Sequence, residues 1–152
     1  MNRLVIGLGN PDRGDDGVGP DVVRRVGALA PGGVDVVVTD DPASLLDLWA
    51  DRDDVVVVDA VVSRREPGSV VAIDATRTGV PDDGWASVGS HGFGLAAAVE
   101  LSRALGTLPG SLVVVGVEVD ATTTGTGLSP AVEAAVEDAV QVVLAVPEDA
   151  GR

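Results

Sequence analysis

The sequence predicts an α/β three-layer sandwich, in which a twisted, mostly parallel five-stranded sheet is covered by helices on both faces. Short valine-rich runs support this prediction: residues 55–58 are four consecutive valines, which is typical of a strand buried on both faces. Segments with apolar residues at helical spacing separate these runs. All the apolar runs are too short to span a membrane, and 152 residues fit a single domain, 1–152, with a sizeable core.

Strand and helix signals alternate along the chain. The first strand is predicted over residues 3–8, and Pro20 suits the first turn of the helix that follows it. The nine residues 60–68 are too few for a parallel crossover, so the strand after them is expected to be antiparallel. Residues 74–90 are expected to form an irregular loop. The other predicted strands are 34–39, 55–58, 69–73 and 112–119, and further helices are expected to begin at Pro42, Leu95 and Ser129-Pro130.

Charge and residue usage exclude several classes of protein. The formal net charge is −14, and all ten basic residues are arginine. Such an excess of acid opposes nucleic-acid binding, which needs positive charge against the phosphates. The chain has no cysteine, so disulfides, thiolate catalysis and cysteine-bound metals are excluded. The apolar run from Leu4 to Leu8 is too short for a signal-peptide core, and we expect a cytoplasmic protein.

A glycine-rich loop with acidic residues follows the first predicted strand. Gly7-Leu8-Gly9 matches the start of a dinucleotide-binding loop, but the third glycine of that pattern would fall at Asp12, and the neighbouring acids would repel a pyrophosphate. The adjacent pair Asp15-Asp16 belongs either to an ordinary polar loop with a capping aspartate or to a site that binds a cation or orients a water molecule. In open α/β sheets, ligands bind at this carboxyl edge of the strands.

Two further residues have side chains suited to such a site. Asp59 follows directly after the four valines, so its carboxylate is expected at the same sheet edge as Asp16, and a turn or cap role is the alternative. His91 is the only histidine and lies just before a predicted helix. It is either a structural or surface residue, or a neutral imidazole that joins the carboxylates as a metal ligand.

Four segments, in this order, resemble the [NiFe]-hydrogenase maturation endopeptidases, and the resemblance runs nearly end to end. Each segment is weakly specific alone, whereas the four together at these separations are a fairly specific pattern. They are Gly7-Leu8-Gly9-Asn10 with Asp15-Asp16-Gly17-Val18-Gly19, Val58-Asp59-Ala60-Val61-Val62-Ser63, Ser90-His91-Gly92-Phe93-Gly94-Leu95, and Gly127-Leu128-Ser129-Pro130-Ala131-Val132-Glu133.

The resemblance implies an aspartic-type endopeptidase that trims a C-terminal peptide from the hydrogenase large-subunit precursor after nickel insertion. The family's metal-contacting positions match Asp16, Asp59 and His91, which would be both catalytic and metal-binding. Two carboxylates and one imidazole leave open positions suited to a borderline divalent ion. The nickel is expected to arrive with the substrate, so the free protein would be metal-free. The residues expected to contact the substrate are Asn10, Asp15 and Asp40.

The chain departs from the family pattern after the second predicted strand. Many relatives have an Asp-Gly-Gly-Thr-like stretch there, whereas this sequence has Thr39-Asp40-Asp41-Pro42-Ala43, which leaves substrate identity open. Two other functions also stay open. One is a hydrolase similar to peptidyl-tRNA hydrolase, which shares the start Gly7–Pro11, although the chain has no tyrosine and its charge opposes tRNA. The other is a non-catalytic factor that binds the same precursor.

Overall fold

A computed structural model describes residues 3–30, 32–80, 86–87, 94–120 and 127–147 of the chain. Within these ranges, six strands form one sheet and four helices pack against it. The strands are β1 (Arg3–Leu8), β2 (Val34–Thr39), β3 (Asp54–Val62), β4 (Val70–Asp74), β5 (Ala86–Ser87) and β6 (Ser111–Glu118). The helices are α1 (Val18–Leu29), α2 (Leu45–Trp49), α3 (Leu95–Leu105) and α4 (Pro130–Ala145).

The five longer strands have the spatial order β2-β1-β3-β6-β4. Strands β1, β2, β3 and β6 are parallel to one another, and β4 pairs with β6 in the antiparallel direction. The prediction of an α/β fold with a mostly parallel sheet and one antiparallel strand is therefore confirmed. The connection after β3 is too short for a helical crossover, so the chain passes over the end of β6 and returns along its far side.

The two-residue strand β5 was not predicted, and it extends the sheet at its carboxyl edge. Val61 of β3 pairs with Ser87 of β5 and also with Glu118 of β6. Because β6 occupies one side of β3, β5 lies on the other side, beyond the end of β1. The expected irregular stretch 74–90 thus contains the end of β4 and all of β5, and its residues 81–85 and 88–90 lie outside the described residues.

Alternate residues of the strands face two separate apolar layers. Val56 and Val58 of β3 pack with α1 and α4 on one face, whereas Val55 and Val57 pack with α2 and α3 on the other. Among the described residues the largest fully buried side chain is Trp49, whose Nε1–H donates a hydrogen bond to Ser102 Oγ at 2.8 Å. With few aromatic residues available, close-packed valines fill most of the layer with α1 and α4, whereas leucine, isoleucine and alanine share the other layer with valines and Trp49.

β4, β6 and α2 begin one to three residues away from their predicted starts, and the larger differences at β3 and α1 bear on the site. β3 continues past the four valines to Val62, because β6 stays paired with it as far as Val61. α1 begins at Val18, after a 3-10 turn over Gly14–Gly17, so Pro20 is its third residue. A proline is tolerated there because N–H groups in the first helical turn have no partner within the helix.

Candidate active site

Acidic residues meet at the carboxyl edge of the parallel strands. Leu8, the last residue of β1, pairs with Thr39 of β2 and with Asp59 of β3, so these strands are level at this point. Asp40 follows β2 directly, and the turn that contains Asp16 contacts β3. The structure therefore brings Asp16, Asp40 and Asp59 to one edge of the sheet, the edge at which α/β proteins bind ligands.

Glycines allow the start of α1 to approach the strand ends closely. Gly9 has a φ of +143°, and a Cβ there would lie 2.0 Å from the carbonyl oxygen of Asp16. A Cβ on Gly19 would lie 2.5 Å from the carbonyl oxygen of Val58 and 2.7 Å from that of Leu8. Both positions therefore require glycine. The glycine pattern holds Asp16 against the strands, which is a different role from cradling a phosphate.

Asp16 is buried, and one of its two carboxylate oxygens accepts no hydrogen bond from the described residues. The residue is 6% exposed, and its Oδ2 accepts a hydrogen bond from the Asn10 N–H at 3.0 Å. Its Oδ1 is buried and has no hydrogen-bond partner among the described residues. Burial raises the pKa of the Asp16 carboxyl above its usual range; the Asn10 bond and the charge of Arg13 oppose this rise, and the charge of Asp40 adds to it. A buried oxygen without a partner is unfavourable unless a ligand satisfies it.

Asp15 and Asn10 hold the loop around Asp16. Asp15 is 3% exposed; its Oδ1 accepts a hydrogen bond from the Ser129 N–H at 2.6 Å, and its Oδ2 accepts one from the Ser129 hydroxyl at 2.8 Å. Ser129 precedes α4, so the Asp15 carboxylate also lies where negative charge stabilises the start of that helix. Asn10 Oδ1 accepts a hydrogen bond from the Asp12 N–H at 2.9 Å. These contacts are structural, and the substrate contacts expected of Asp15 and Asn10 stay predictions.

Asp59 lies inside β3, whereas the sequence placed it directly after the end of that strand. Strand pairing continues to Val62, because both β5 and β6 extend along β3 beyond the end of β1. Asp59 is nevertheless level with Leu8, the last residue of β1, and it is only 1% exposed. A carboxylate so deeply buried at a ligand-binding edge is suited to contact with a cation.

His91, the third predicted metal ligand, lies outside the described residues. Among the ranges that are described, no group of three His, Cys, Asp or Glu residues is arranged to hold a metal ion. The nearest described elements on either side of His91 are β5, whose Ser87 pairs with Val61, and α3, which begins at Leu95. The set Asp16, Asp59 and His91 therefore stays a prediction.

Comparisons with known proteins identify the family. A family model described as hydrogenase maturation protease matches residues 36–146. The hydrogenase 2 maturation protease of Escherichia coli (strain K12) is 30% identical to the chain over 155 residues, a match that covers 99% of this chain and 93% of the relative. The chain belongs to the hydrogenase maturation protease family.

Solved structures of E. coli endopeptidases share the fold of this hydrogenase maturation protease. An endopeptidase solved in solution superposes with a TM-score of 0.78 at 28% identity, covering 95% of this chain and 91% of the other. The hydrogenase maturating endopeptidase HybD superposes with a TM-score of 0.72 at 29% identity, with the same coverage of 95% and 91%. The similarity spans nearly the whole of each chain.

Family membership confirms the predicted resemblance and makes the protein a peptidase. Hydrogenase maturation proteases act on large-subunit precursors of hydrogenases, which gives the class of its partner. None of the helices in the described ranges is long and apolar enough to cross a membrane. Aspartic-type chemistry, metal binding and a cytoplasmic location stay predictions.

The acidic loop that departs from the common family pattern is a capped turn. Asp41 Oδ1 accepts a hydrogen bond from the Ala43 N–H at 3.0 Å and so caps the 3-10 turn that begins at Pro42. The hydroxyl groups of Thr39 and Ser44 are also hydrogen-bonded to each other, at 2.9 Å. Hydrogen bonds thus hold this loop, at the position where the resemblance implies two glycines. Asp40 is exposed, with its charge close enough to act on Asp16.

Two residues at this edge were missed by the sequence analysis. No contact was predicted for Ser129, although it binds both carboxylate oxygens of Asp15. Glu118 was treated as part of an apolar strand, although it is 3% exposed and its carboxylate binds Ser63. The available signal for Glu118 was a charged residue within an otherwise apolar run, since a buried strand accepts a charge only where hydrogen bonds satisfy it.

Proposed function

We propose that this protease removes a C-terminal peptide from the large-subunit precursor of a [NiFe] hydrogenase after nickel insertion, and that it recognises the nickel bound in that precursor. The observation that supports this most directly is the buried Oδ1 of Asp16, which has no hydrogen-bond partner in the described part of the chain. Asp40 adds negative charge at the same edge, and the buried carboxyl group of Asp59 is level with the end of β1 there. An oxygen in this setting is satisfied by a cation that the substrate brings.

Asp16, Asp59 and His91 supply two carboxylates and an imidazole to the substrate's nickel. A borderline divalent ion accepts both oxygen and nitrogen donors, and this set leaves positions open for the ligands of the precursor itself. The Asn10 N–H fixes the orientation of the Asp16 carboxylate through Oδ2, so that Oδ1 is free to approach the metal. Binding the nickel in this way places the neighbouring scissile peptide bond at the carboxyl edge of the sheet.

The position of β5 supports the inclusion of His91. Ser87 pairs with Val61, which lies two residues beyond Asp59 on β3. The four residues from Ser87 to His91 span at most about 14 Å. The chain is therefore long enough for the imidazole to reach a metal held by Asp59 and Asp16.

Asn10, Asp15 and Asp40 complete the proposed substrate contacts. Asp40 is exposed beside Asp16, where it attracts a positively charged centre. Asn10 and Asp15 act from the loop that carries Asp16, Asn10 through its bond to Asp16 and Asp15 through its bonds to the start of α4. Because the loop after β2 is held by hydrogen bonds, Asp40 is presented to the substrate in a fixed position.

The test is cleavage of the matched precursor with and without nickel, followed by mass spectrometry of its C-terminus. Wild type should make a single cut only in the nickel-loaded precursor. Asp16→Asn, Asp59→Asn and His91→Ala should each lower kcat/KM by roughly a hundredfold or more, because even outer residues of a metal site contribute tenfold to a hundredfold. Asp12→Asn removes an exposed carboxylate from the same loop and should leave the rate unchanged.

The outcomes separate this function from the two alternatives. Cleavage that is independent of nickel, or three variants that cut as fast as wild type, would reject the proposed site. A folded wild type that binds the precursor without cutting it would indicate a non-catalytic binding factor. Hydrolysis of peptidyl-tRNA would indicate the second alternative, which the net charge of −14 opposes.

A further inference from the structure

The connection from β3 to β4, residues 63–69, passes over the carboxyl end of β6. The Gly68 N–H donates a hydrogen bond to the Glu118 carbonyl at 2.8 Å, and the Glu118 N–H donates one to the Ser69 carbonyl at 2.8 Å. Since β6 is parallel to β1 and β3, its carboxyl end lies at the edge where Asp16 and Asp59 meet. The connection is therefore part of the rim of the candidate active site.

Contacts with α4 join this connection to the loop that carries Asp16. A Cβ on Gly68 would lie 2.8 Å from the carbonyl oxygen of Ala131, in the first turn of α4. Two residues earlier, Ser129 is bound by the carboxylate of Asp15. The connection and the Asp16 loop thus contact the same helix start.

A buried carboxylate holds the connection in place. The Ser63 N–H donates hydrogen bonds to the Glu118 carboxylate at 2.8 Å and 3.1 Å, and the Ser63 hydroxyl donates another to Oε1. Arg65 Nη1 donates to Ser63 Oγ at 2.9 Å. No arginine among the described residues forms an ion pair with Glu118 itself. Burial of a charge is unfavourable unless hydrogen bonds satisfy it, and all three of these bonds hold Ser63.

The backbone at Arg64 is in a conformation that disfavours arginine. Its φ is 69°, and it is the only non-glycine residue with a positive φ in the described part of the chain. Glycine would adopt this conformation without strain. An arginine there indicates that its side chain does something that glycine cannot do, and such strained positions are concentrated at functional sites.

Arg64 and Arg65 present positive charge at an acidic edge. Both are exposed, and neither lies within 4.0 Å of a carboxylate of the described residues; their neighbour Glu66 is also exposed and without an ion pair. In this chain of net charge −14, five of the nine arginines that the structure describes form an ion pair with an acid. Those with an ion pair are Arg3, Arg25, Arg52, Arg77 and Arg103.

We propose that Arg64 and Arg65 bind a carboxylate of the C-terminal segment that is removed from the precursor, and that Glu118 positions them through Ser63. The inference rests on the proposed function. Guanidinium groups match carboxylates in geometry as well as charge. The substrate then makes contacts of opposite sign at one edge: its metal centre meets the aspartates, and an anion of its tail meets the arginines. The tail offers two sources of this anion, its terminal carboxylate and its Asp or Glu side chains.

Steady-state kinetics on the nickel-loaded precursor test the arginines directly. Arg65→Gln and Arg64→Gly should each raise KM roughly threefold to tenfold with kcat unchanged, because they remove binding that is equal in the ground and transition states. The effect should shrink as salt is added. Arg24→Gln is the matched control, since Arg24 is also exposed and has no ion pair among the described residues, yet lies on α1. It should leave KM unchanged.

Thermal unfolding separates this role from a purely structural one. Arg64→Gly should unfold at the same temperature as wild type or higher, because it relieves the backbone conformation, while its KM rises. Glu118→Gln should also raise KM with kcat unchanged, because the amide group has one acceptor oxygen instead of two and lacks the charge that strengthens the bonds to Ser63. If Arg64→Gly loses stability and keeps the wild-type KM, the proposal is wrong.

Substrate variants identify the source of the anion. If the terminal carboxylate is bound, wild type and Arg65→Gln should have the same KM for a precursor with an amidated C-terminus. If a side chain is bound, the two proteins should have the same KM for a precursor in which that Asp or Glu of the tail is changed to Asn or Gln. If no precursor variant abolishes the difference, or if Arg24→Gln has the same effect, the inference fails while the proposed cleavage stands. A wild type that neither cuts nor binds the precursor overturns both.

Discussion

Gly19→Ala should destabilise the fold, although a helix normally favours alanine. Gly19 is the second residue of α1, and replacing glycine by alanine within a helix typically stabilises it by about 1 kcal/mol. Here the added Cβ would lie 2.5 Å from the Val58 carbonyl oxygen and 2.7 Å from the Leu8 carbonyl oxygen. Both are backbone atoms of buried strands, so α1 as a whole must move outward.

The net effect follows from two opposing contributions. Overpacking of a buried site costs about 1–3 kcal/mol, and a clash with two backbone atoms is at the upper end of that range. After the gain in helix propensity is subtracted, the free energy of unfolding should fall by about 2 kcal/mol. For a chain of this size, that corresponds to a drop in melting temperature of roughly 4–8 °C.

Urea unfolding of Gly19→Ala, beside Gly27→Ala as a control in the same helix, measures this effect. A Cβ on Gly27 would lie 2.9 Å from Val36 Cγ2, a half-buried side-chain atom on an edge strand that can shift. We expect Gly27→Ala to change stability by less than about 1 kcal/mol. A Gly19→Ala protein that is as stable as wild type, or more stable, would refute the close contact between α1 and the strand ends.

Two further predictions concern the acids next to this contact. Because burial raises the pKa of folded Asp16, its charged form destabilises the fold above that pKa, and the penalty is lost as the pH falls through it. As the pH is lowered from neutral to mildly acidic, the free energy of unfolding of wild type, measured with urea, should therefore rise relative to that of Asp16→Asn. A difference between the two proteins that does not change with pH would contradict the raised pKa of Asp16. Ser129→Ala removes one of the two hydrogen bonds to Asp15 and should lower the free energy of unfolding by about 1–2 kcal/mol. Asp15→Asn should have a smaller effect in that background than alone, and strictly additive effects in the double-mutant cycle would show that the pair does not interact.

Local patterns in the sequence were sufficient for most of the fold. The predicted bounds of residues 3–8 and 34–39 match β1 and β2, since each run of apolar, β-branched residues is followed directly by glycine or acid. The direction of β4 followed from the length of its connection alone. These features depend on neighbours in the chain, and a single sequence contains them.

Contacts between distant residues could not be predicted in this way. Asp15 and Ser129 are separated by 114 positions, and Ser63 and Glu118 by 55. β5 has only two residues and no periodicity, and it exists because the extended end of β3 offers it a free edge. Asp15, Asp16 and Asp59 could be predicted as site residues from their residue type and their position after a predicted strand. The partners that hold them in position are determined by the tertiary fold.

The unpartnered oxygen of Asp16 differs from the other unsatisfied polar atoms of the described chain. Those are Asp54 Oδ1 and Ser111 Oγ, on residues that pair with each other at the opposite edge of the sheet, where Asp54 also has an ion pair with Arg3. Asp16 has no ion pair in the described structure. Its buried charge and the left-handed backbone of Arg64 are both unfavourable to the free protein, and both lie at the edge where the substrate would bind. A precursor that brings a cation to Asp16 would relieve the buried charge, and an anion bound by the arginines would offset the cost of the Arg64 backbone, so part of the stability lost in the free protein is recovered as affinity for the correctly metallated substrate.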